Sequence, residues 1–155
     1  MKAIIALMIF LNTINPIKVY MYGDEVYFHF NTRMEFEDNS AKLSTEVKAQ
    51  LDAIAFSLQE RPKLKIEIES HTDIATRPTV AVEVTRNRAN AIKDYLVRVG
   101  VNPKNIKAVG YGYKKPLINC EDMFNCTPEE NKKNRRVSIR LINLRRIGAY
   151  ELVYN

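Results

Sequence analysis

The sequence predicts an α/β two-layer sandwich in which two main helices pack on one mixed sheet, in the order β-α-β-α-β-β. Three observations predict it. Three short segments alternate apolar and polar residues with period two, a fourth reads as a short strand, and two longer segments carry apolar residues at helical spacing. Strand and helix alternate through the first three strands, so each crossover is expected to be right-handed and to lay its helix on the same face of the sheet. The length of 155 residues suits one domain with its own core.

The elements follow in order. Val26, Phe28 and Phe30 alternate with Tyr27 and His29, which reads as a strand with one buried face. A polar connection, 31–40, leads to Leu43 and to Ser44, a residue type that caps helix N-termini. Val47, Leu51, Ile54 and Leu58 recur at helical spacing up to Glu60, and Pro62 blocks continuation. Leu64, Ile66 and Ile68 alternate with Lys65, Glu67 and Glu69 as a second strand, with a loop over 71–79. A second amphipathic helix is expected over 80–99, closed by Gly100 with Pro103 soon after. A short strand over 106–109 exits through Gly110-Tyr111-Gly112. After a polar, then basic, loop, Val137, Ile139 and Leu141 alternate with Ser138 and Arg140 as the last strand.

Composition bounds the function more loosely. The chain is 46% apolar and 27% charged, ordinary values for a soluble globular protein. A formal charge of +6 favours acidic partners without choosing among them. Lys2 precedes an apolar run over residues 3–11, then Asn12-Thr13. That pattern matches a secretory signal and is too short to span a bilayer as a helix. The expected division is an export segment at 1–22, cleaved somewhere within 15–23, a domain at 23–145 and a tail at 146–155. A buried N-terminal strand or helix is the competing reading of the same run, and the absence of a nearby Cys argues against a lipid anchor. Cys120 and Cys126 are spaced too widely for a CxxC redox or zinc motif, and no nearby His completes a metal set. In an exported protein, a disulfide stapling their loop is the simplest account. Neither a metal nor a cofactor is expected.

One residue stands out. The second helix carries an apolar stripe of Val84, Ile92, Leu96 and Val99, and Arg88 falls within it. An unpaired buried charge is very costly, so Arg88 either snorkels to solvent or meets an acidic partner. Asp73, in the loop after the second strand, supplies a carboxylate at the same end of the sheet. Crevices at the carboxyl ends of strands are where open α/β sheets tend to hold ligands. A guanidinium beside a carboxylate would cradle a zwitterion, one group for each of its charges.

The residues His71-Thr72-Asp73, then Val84-Thr85-Arg86-Asn87-Arg88-Ala89, Tyr95-Leu96, Gly110-Tyr111-Gly112 and Asn134-Arg135-Arg136-Val137-Ser138-Ile139, resemble the OmpA-like family pattern. The resemblance runs from about residue 25 to 144, and its Cys-bearing loop resembles a variant common in Bacteroidota. It implies a periplasmic domain, associated with the cell wall or outer membrane, that binds peptidoglycan. On that resemblance Asp73 and Arg88 hold the amino and carboxylate groups of meso-diaminopimelate in the stem peptide. Thr72 lies beside the ligand, Asn31 is a further contact, and Asn134 and Arg135 support the site. An outer-membrane protein is a possible second partner. Two departures stand against the pattern: Ile74-Ala75-Thr76-Arg77-Pro78 replaces a loop that usually holds Gly, and Ala81 replaces an Asn. A divergent fold that has lost wall binding and serves as a protein-interaction module is the alternative.

Other classes fare worse. The cluster Lys132-Lys133-Asn134-Arg135-Arg136 and the basic pI of about 9.3 suggest nucleic acid, but no zinc-finger or RNP pattern accompanies them. His71 near Asp73 suggests acid–base chemistry, yet no nucleophile with its base is recognisable. Glu67 and Glu69 share a strand face, which reads as a solvated rim. Neither a nucleic-acid partner nor catalysis is expected.

Overall fold

The computed structural model describes residues 17–22, 25–30, 36, 40–120 and 125–142. Five strands form one mixed sheet in the spatial order β1-β2-β5-β3-β4. They are β1 (Ile17–Tyr22), β2 (Glu25–Phe30), β3 (Ile66–His71), β4 (Ile106–Gly112) and β5 (Arg136–Leu141). Among the described residues the long helices are α1 (Thr45–Gln59) and α2 (Pro78–Arg98), and a short one, α3 (Pro128–Asn134), precedes β5. β3 and β4 pair in parallel, while β5 runs antiparallel to both β2 and β3. The sheet is therefore mixed, with its last strand inserted between the first pair and the second.

The order agrees with the expected α/β sandwich, with two additions. β1 pairs along the whole of β2 at the sheet edge. Its residues, 17–22, fall inside the span expected for the export segment, although Ile17, Val19 and Met21 alternate as in a strand. α3, only seven residues long, stands where a polar and basic loop is expected. The apolar run at 3–11 and the tail at 146–155 lie outside the described residues.

α1 begins where expected: the Ser44 hydroxyl accepts from Val47 N at 3.3 Å, which satisfies one orphan donor of the first turn. Its stripe of Val47, Leu51, Ile54 and Leu58 is buried. α2 opens on Pro78, which fits the first helical position because no N–H is needed there. It closes with Gly100 at φ 103°, while Val101 N donates to Leu96 O and Gly100 N to Val97 O, the Schellman pattern. Both helices share a core with Ile66, Ile68, Val137, Ile139 and Leu141 on one face of the sheet.

α2 is turned relative to the stripe expected for it. Its buried residues are Ala81, Thr85, Ala89, Ile92 and Leu96, so Val84 and Arg88 lie on the flank. Small side chains let the helix backbone approach β4 closely. A Cβ on Gly110 would stand 2.2 Å from Arg86 N, a distance no side chain could tolerate. The helix thus presses its Ala and Thr positions onto a glycine of the strand, and hydrophobicity alone pointed one position away.

The other sheet face carries charge. Glu67 and Glu69 are not a solvated rim: they are 2% and 6% exposed. Arg140 on β5 reaches both, at 3.2 Å each, and Lys107 on β4 reaches Glu67 at 3.1 Å. The β3–β5 register sets Glu67 opposite Arg140, so the pairing follows from the ladder itself.

Candidate functional site

The candidate site is assembled where β3 and β4 end. Thr72 N donates to Gly112 O at 2.9 Å, carrying the parallel ladder past an irregularity at Ser70/His71. Asp73 follows, only 4% exposed. A turn then folds back on it. Thr76 N donates to Asp73 O, and the Thr76 hydroxyl donates to Asp73 Oδ1 at 3.3 Å and shares a hydrogen bond of 2.8 Å with the Thr72 hydroxyl. Pro78 opens α2 directly afterwards, so the loop is short and its polar groups are used locally.

Asp73 Oδ2 accepts from Arg135 Nη1 in a charge-assisted hydrogen bond. A carboxylate so enclosed needs a countercharge, and Arg135, whose side chain is half exposed, supplies it from the junction of α3 and β5. Asn134, one residue earlier, is buried and turned to the chain before the disulfide. Its Oδ1 accepts from Leu117 N and Ile118 N, and its Nδ2 donates to Ile118 O. Cys120 and Cys126 are joined, with Cα atoms 5.5 Å apart.

Arg88 is half-buried on α2. Its Nε donates to Ser40 O at 3.1 Å, and its guanidinium lies 4.7 Å from the centroid of the Phe36 ring. A cation over an aromatic face is attracted by the ring quadrupole, so the segment ahead of α1 orients this arginine.

The structure thus gathers Thr72, Asp73 and Arg135 into one hydrogen-bonded group and seats Arg88 against the segment before α1. Asn31 lies outside the described residues. Thr76, Phe36 and Ser40 were not foreseen. Phe36 left a signal, an aromatic residue inside a largely polar connection. Ala81, which stands where the resembling pattern has Asn, is wholly buried and packs toward Gly112, so packing occupies that position.

His71 sits behind the site on the charged face, 2% exposed and stacked on Tyr111 with ring centroids 5.4 Å apart. Neither ring nitrogen has a hydrogen-bond partner, and Nε2 is 3.8 Å from Glu69 Oε2. Burial pushes its pKa below 6.5, assisted by Arg136 and Lys115, against the opposing pull of Glu69. For Glu69, burial alone would raise the pKa. The neighbouring His71 and the charges of Lys115 and Arg140 outweigh it and bring the carboxyl below 4.5. Among the described residues no group of three or more His, Cys, Asp or Glu could hold a metal ion. No helix there is long and apolar enough to cross a membrane.

Comparison with known proteins gives a consistent answer. The model of the OmpA family matches residues 35–135, a stretch that begins after Asn31. Among curated proteins the chain is 26% identical over 125 residues to the "Probable lipoprotein YiaD" of Escherichia coli (strain K12), covering 81% of this chain and 55% of that protein. It is 32% identical over 91 residues to the "Peptidoglycan-associated lipoprotein" of Rhizobium meliloti (strain 1021), covering 59% and 52%. The chain therefore spans about half the length of these relatives. Among solved structures, a putative MotB-like protein from Desulfovibrio vulgaris superposes with a TM-score of 0.76 at 19% identity, covering 90% of each chain. At that identity the likeness speaks for the fold.

Proposed function

The chain belongs to the OmpA family, and from that premise we propose that it binds peptidoglycan non-covalently, holding the diaminopimelate of the stem peptide between Asp73 and Arg88. The observation that carries this reading is the enclosed carboxylate of Asp73 at the carboxyl end of a parallel strand, with its countercharge already provided by Arg135. Burying an ionised group costs several kcal/mol before pairing, roughly, so its retention at a strand end asks for a use. A carboxylate offers about four lone-pair sites, more than Arg135 and Thr76 use, and can accept from an ammonium group as well. The planar fork of Arg88, oriented by Ser40 and Phe36, suits the ligand carboxylate. The name of the Rhizobium relative, a peptidoglycan-associated lipoprotein, supports peptidoglycan as the polymer bound.

On this reading the protein works in the periplasm as a tether to the wall, with an outer-membrane protein as a further partner and no bond made or broken. Each charge-assisted contact contributes about 1.5–3 kcal/mol, so a single site gives modest affinity. A mesh of repeated ligands compensates through high local concentration.

The test is co-sedimentation of the protein with purified sacculi at low and high salt, beside Asp73→Ala and Arg88→Ala. The expected result is pelleting that survives salt and is lost in both variants. Pelleting that salt abolishes, and that neither variant alters, would show the +6 charge adhering to an anionic wall. Absence of pelleting would favour the protein-interaction module, for which the rebuilt 74–78 turn is the motivating observation. Release of soluble muropeptides would overturn the non-covalent reading.

A further inference from the structure

Residues 117–120 and 125–134 are tied together by a disulfide and by hydrogen bonds, and the residue that follows them, Arg135, pairs with Asp73. At one end the disulfide joins Cys120 to Cys126. α3 starts immediately after, with Thr127 as its N-cap in a capping box: Glu130 N donates to the Thr127 hydroxyl, and the Glu130 carboxylate accepts from Thr127 N at 2.8 Å. Asn131 Nδ2 donates to Cys126 O at 3.4 Å, tying the helix back to the bridge. At the other end Asn134, 2% exposed, holds the incoming chain by two accepted bonds and one donated bond, and its Nδ2 also lies 3.7 Å from Cys120 Sγ. The next residue is Arg135, the countercharge of Asp73.

We propose that Asn134 is a positioning residue through which the Cys120–Cys126 disulfide fixes Arg135 against Asp73, so that the oxidised loop sets the affinity of the Asp73 site. The inference rests on the reading that this site takes the ligand. The disulfide holds residue 120 beside the start of α3. Asn134 clamps residues 117–120 to the end of α3. Together they leave the helix one orientation, and hence Arg135 one approach to the carboxylate. Without the bridge, the start of α3 is held by its capping box alone, and only the Asn134 hydrogen bonds remain at its end. A seven-residue helix is too short to be stable on its own. Arg135, whose side chain is half exposed, then samples other positions, and Asp73 loses the partner that holds its orientation. Reduction by an external dithiol takes two electrons and two protons from the reagent, leaving Cys120 and Cys126 as thiols and the reagent as its own cyclic disulfide.

The experiment compares oxidised and dithiol-reduced forms of the full chain, in wild type and Asn134→Ala, by pelleting on purified sacculi and by the nitrogen and proton NMR shifts of the Arg135 side chain and of the Thr72 and Asp73 amides. Reduction should weaken wild-type binding about three- to tenfold, a difference of about 0.7–1.4 kcal/mol, and move those shifts. In Asn134→Ala the oxidised protein should already bind as weakly as reduced wild type, with little further change on reduction. Should Asn134→Ala fail to fold, Asn134→Asp keeps the acceptor for Leu117 N and Ile118 N while removing the donor to Ile118 O. Equal weakening by reduction in wild type and variant would overturn the role of Asn134. Shifts at Arg135, Thr72 and Asp73 that stay unmoved on reduction would overturn the coupling altogether. If neither form pellets, the proposed ligand is wrong, and the NMR shifts still decide the coupling.

Discussion

At the scale of single residues, the proposed site rests on two charges supported in different ways. Asp73 is enclosed and paired with Arg135, whereas Arg88 is held at the flank of its helix by a backbone carbonyl and an aromatic face. Both were legible in the sequence as candidates, because a charge near an apolar stripe and a carboxylate after a strand are local signals. The supports of Arg88 were not: Phe36 is far from it in sequence, and nothing in a local pattern reports a contact of that range. Arg135 is legible only through the family resemblance, as support for the site and not as the countercharge of Asp73. Arg88→Lys sharpens the assignment. It keeps the charge but replaces a planar fork by a point charge, and loses the flat contact with Phe36. Affinity for sacculi should fall about tenfold or more, the loss expected for one charge-assisted contact, with thermal stability nearly unchanged. Binding equal to wild type would reduce Arg88 to a general positive charge.

At the scale of elements, most of what the sequence announced is present, because α1, α2 and the strands are written in periodicity and caps that act locally. The stripe of α2 was read one position off because Ala81, Thr85 and Ala89 are weakly apolar, and their burial follows from closeness to β4. Two substitutions test that packing. Gly110→Ala puts a methyl group into the backbone of α2, 2.2 Å from Arg86 N, and should cost at least about 3 kcal/mol, as overpacking does at its upper end. Thr85→Val removes the hydroxyl that donates to Ala81 O and accepts from Gly112 N at 3.0 Å. Leaving that buried N–H unsatisfied should cost about 1–3 kcal/mol. Denaturant unfolding reads both, and a midpoint unchanged in Gly110→Ala would show that α2 does not bear on the strand as described. α3 was missed although its start is written plainly: Thr127-Pro128-Glu129-Glu130 is a capping box with Pro at the first helical position. Thr127→Ala removes that cap at a cost of about 1 kcal/mol, confined to the α3 lobe and visible as faster amide exchange in residues 129–134.

At the scale of the whole molecule, the two faces of the sheet divide the work. One carries the apolar core beneath α1 and α2. The other holds Glu67, Glu69 and His71 under Arg140, Lys107 and Tyr111, and runs directly into Thr72 and Asp73. Alternation along β3 announced two faces but not the burial of the polar one, since a period-two pattern does not say which long side chains will lie across it. That burial makes stability depend on acidity, with a definite sign. The pKa of His71 is depressed below 6.5 in the folded protein, so the unfolded chain binds the proton more readily. The stability His71 contributes is full above that value and declines as pH falls through its folded pKa. Glu69, depressed below 4.5, adds a second loss that begins lower, as pH falls toward its own folded pKa. Unfolding free energy measured by denaturant from pH 8 to pH 4 should therefore be flat at first and fall on the acid side. His71→Phe keeps a ring against Tyr111 and removes the titrating nitrogens. Its curve should lack the earlier, near-neutral part of the decline and show a smaller later one, because His71 is among the groups that hold Glu69 below 4.5. If the variant falls as steeply as wild type just below neutrality, the acid sensitivity arises elsewhere, and the buried imidazole serves only to fill the space behind the site.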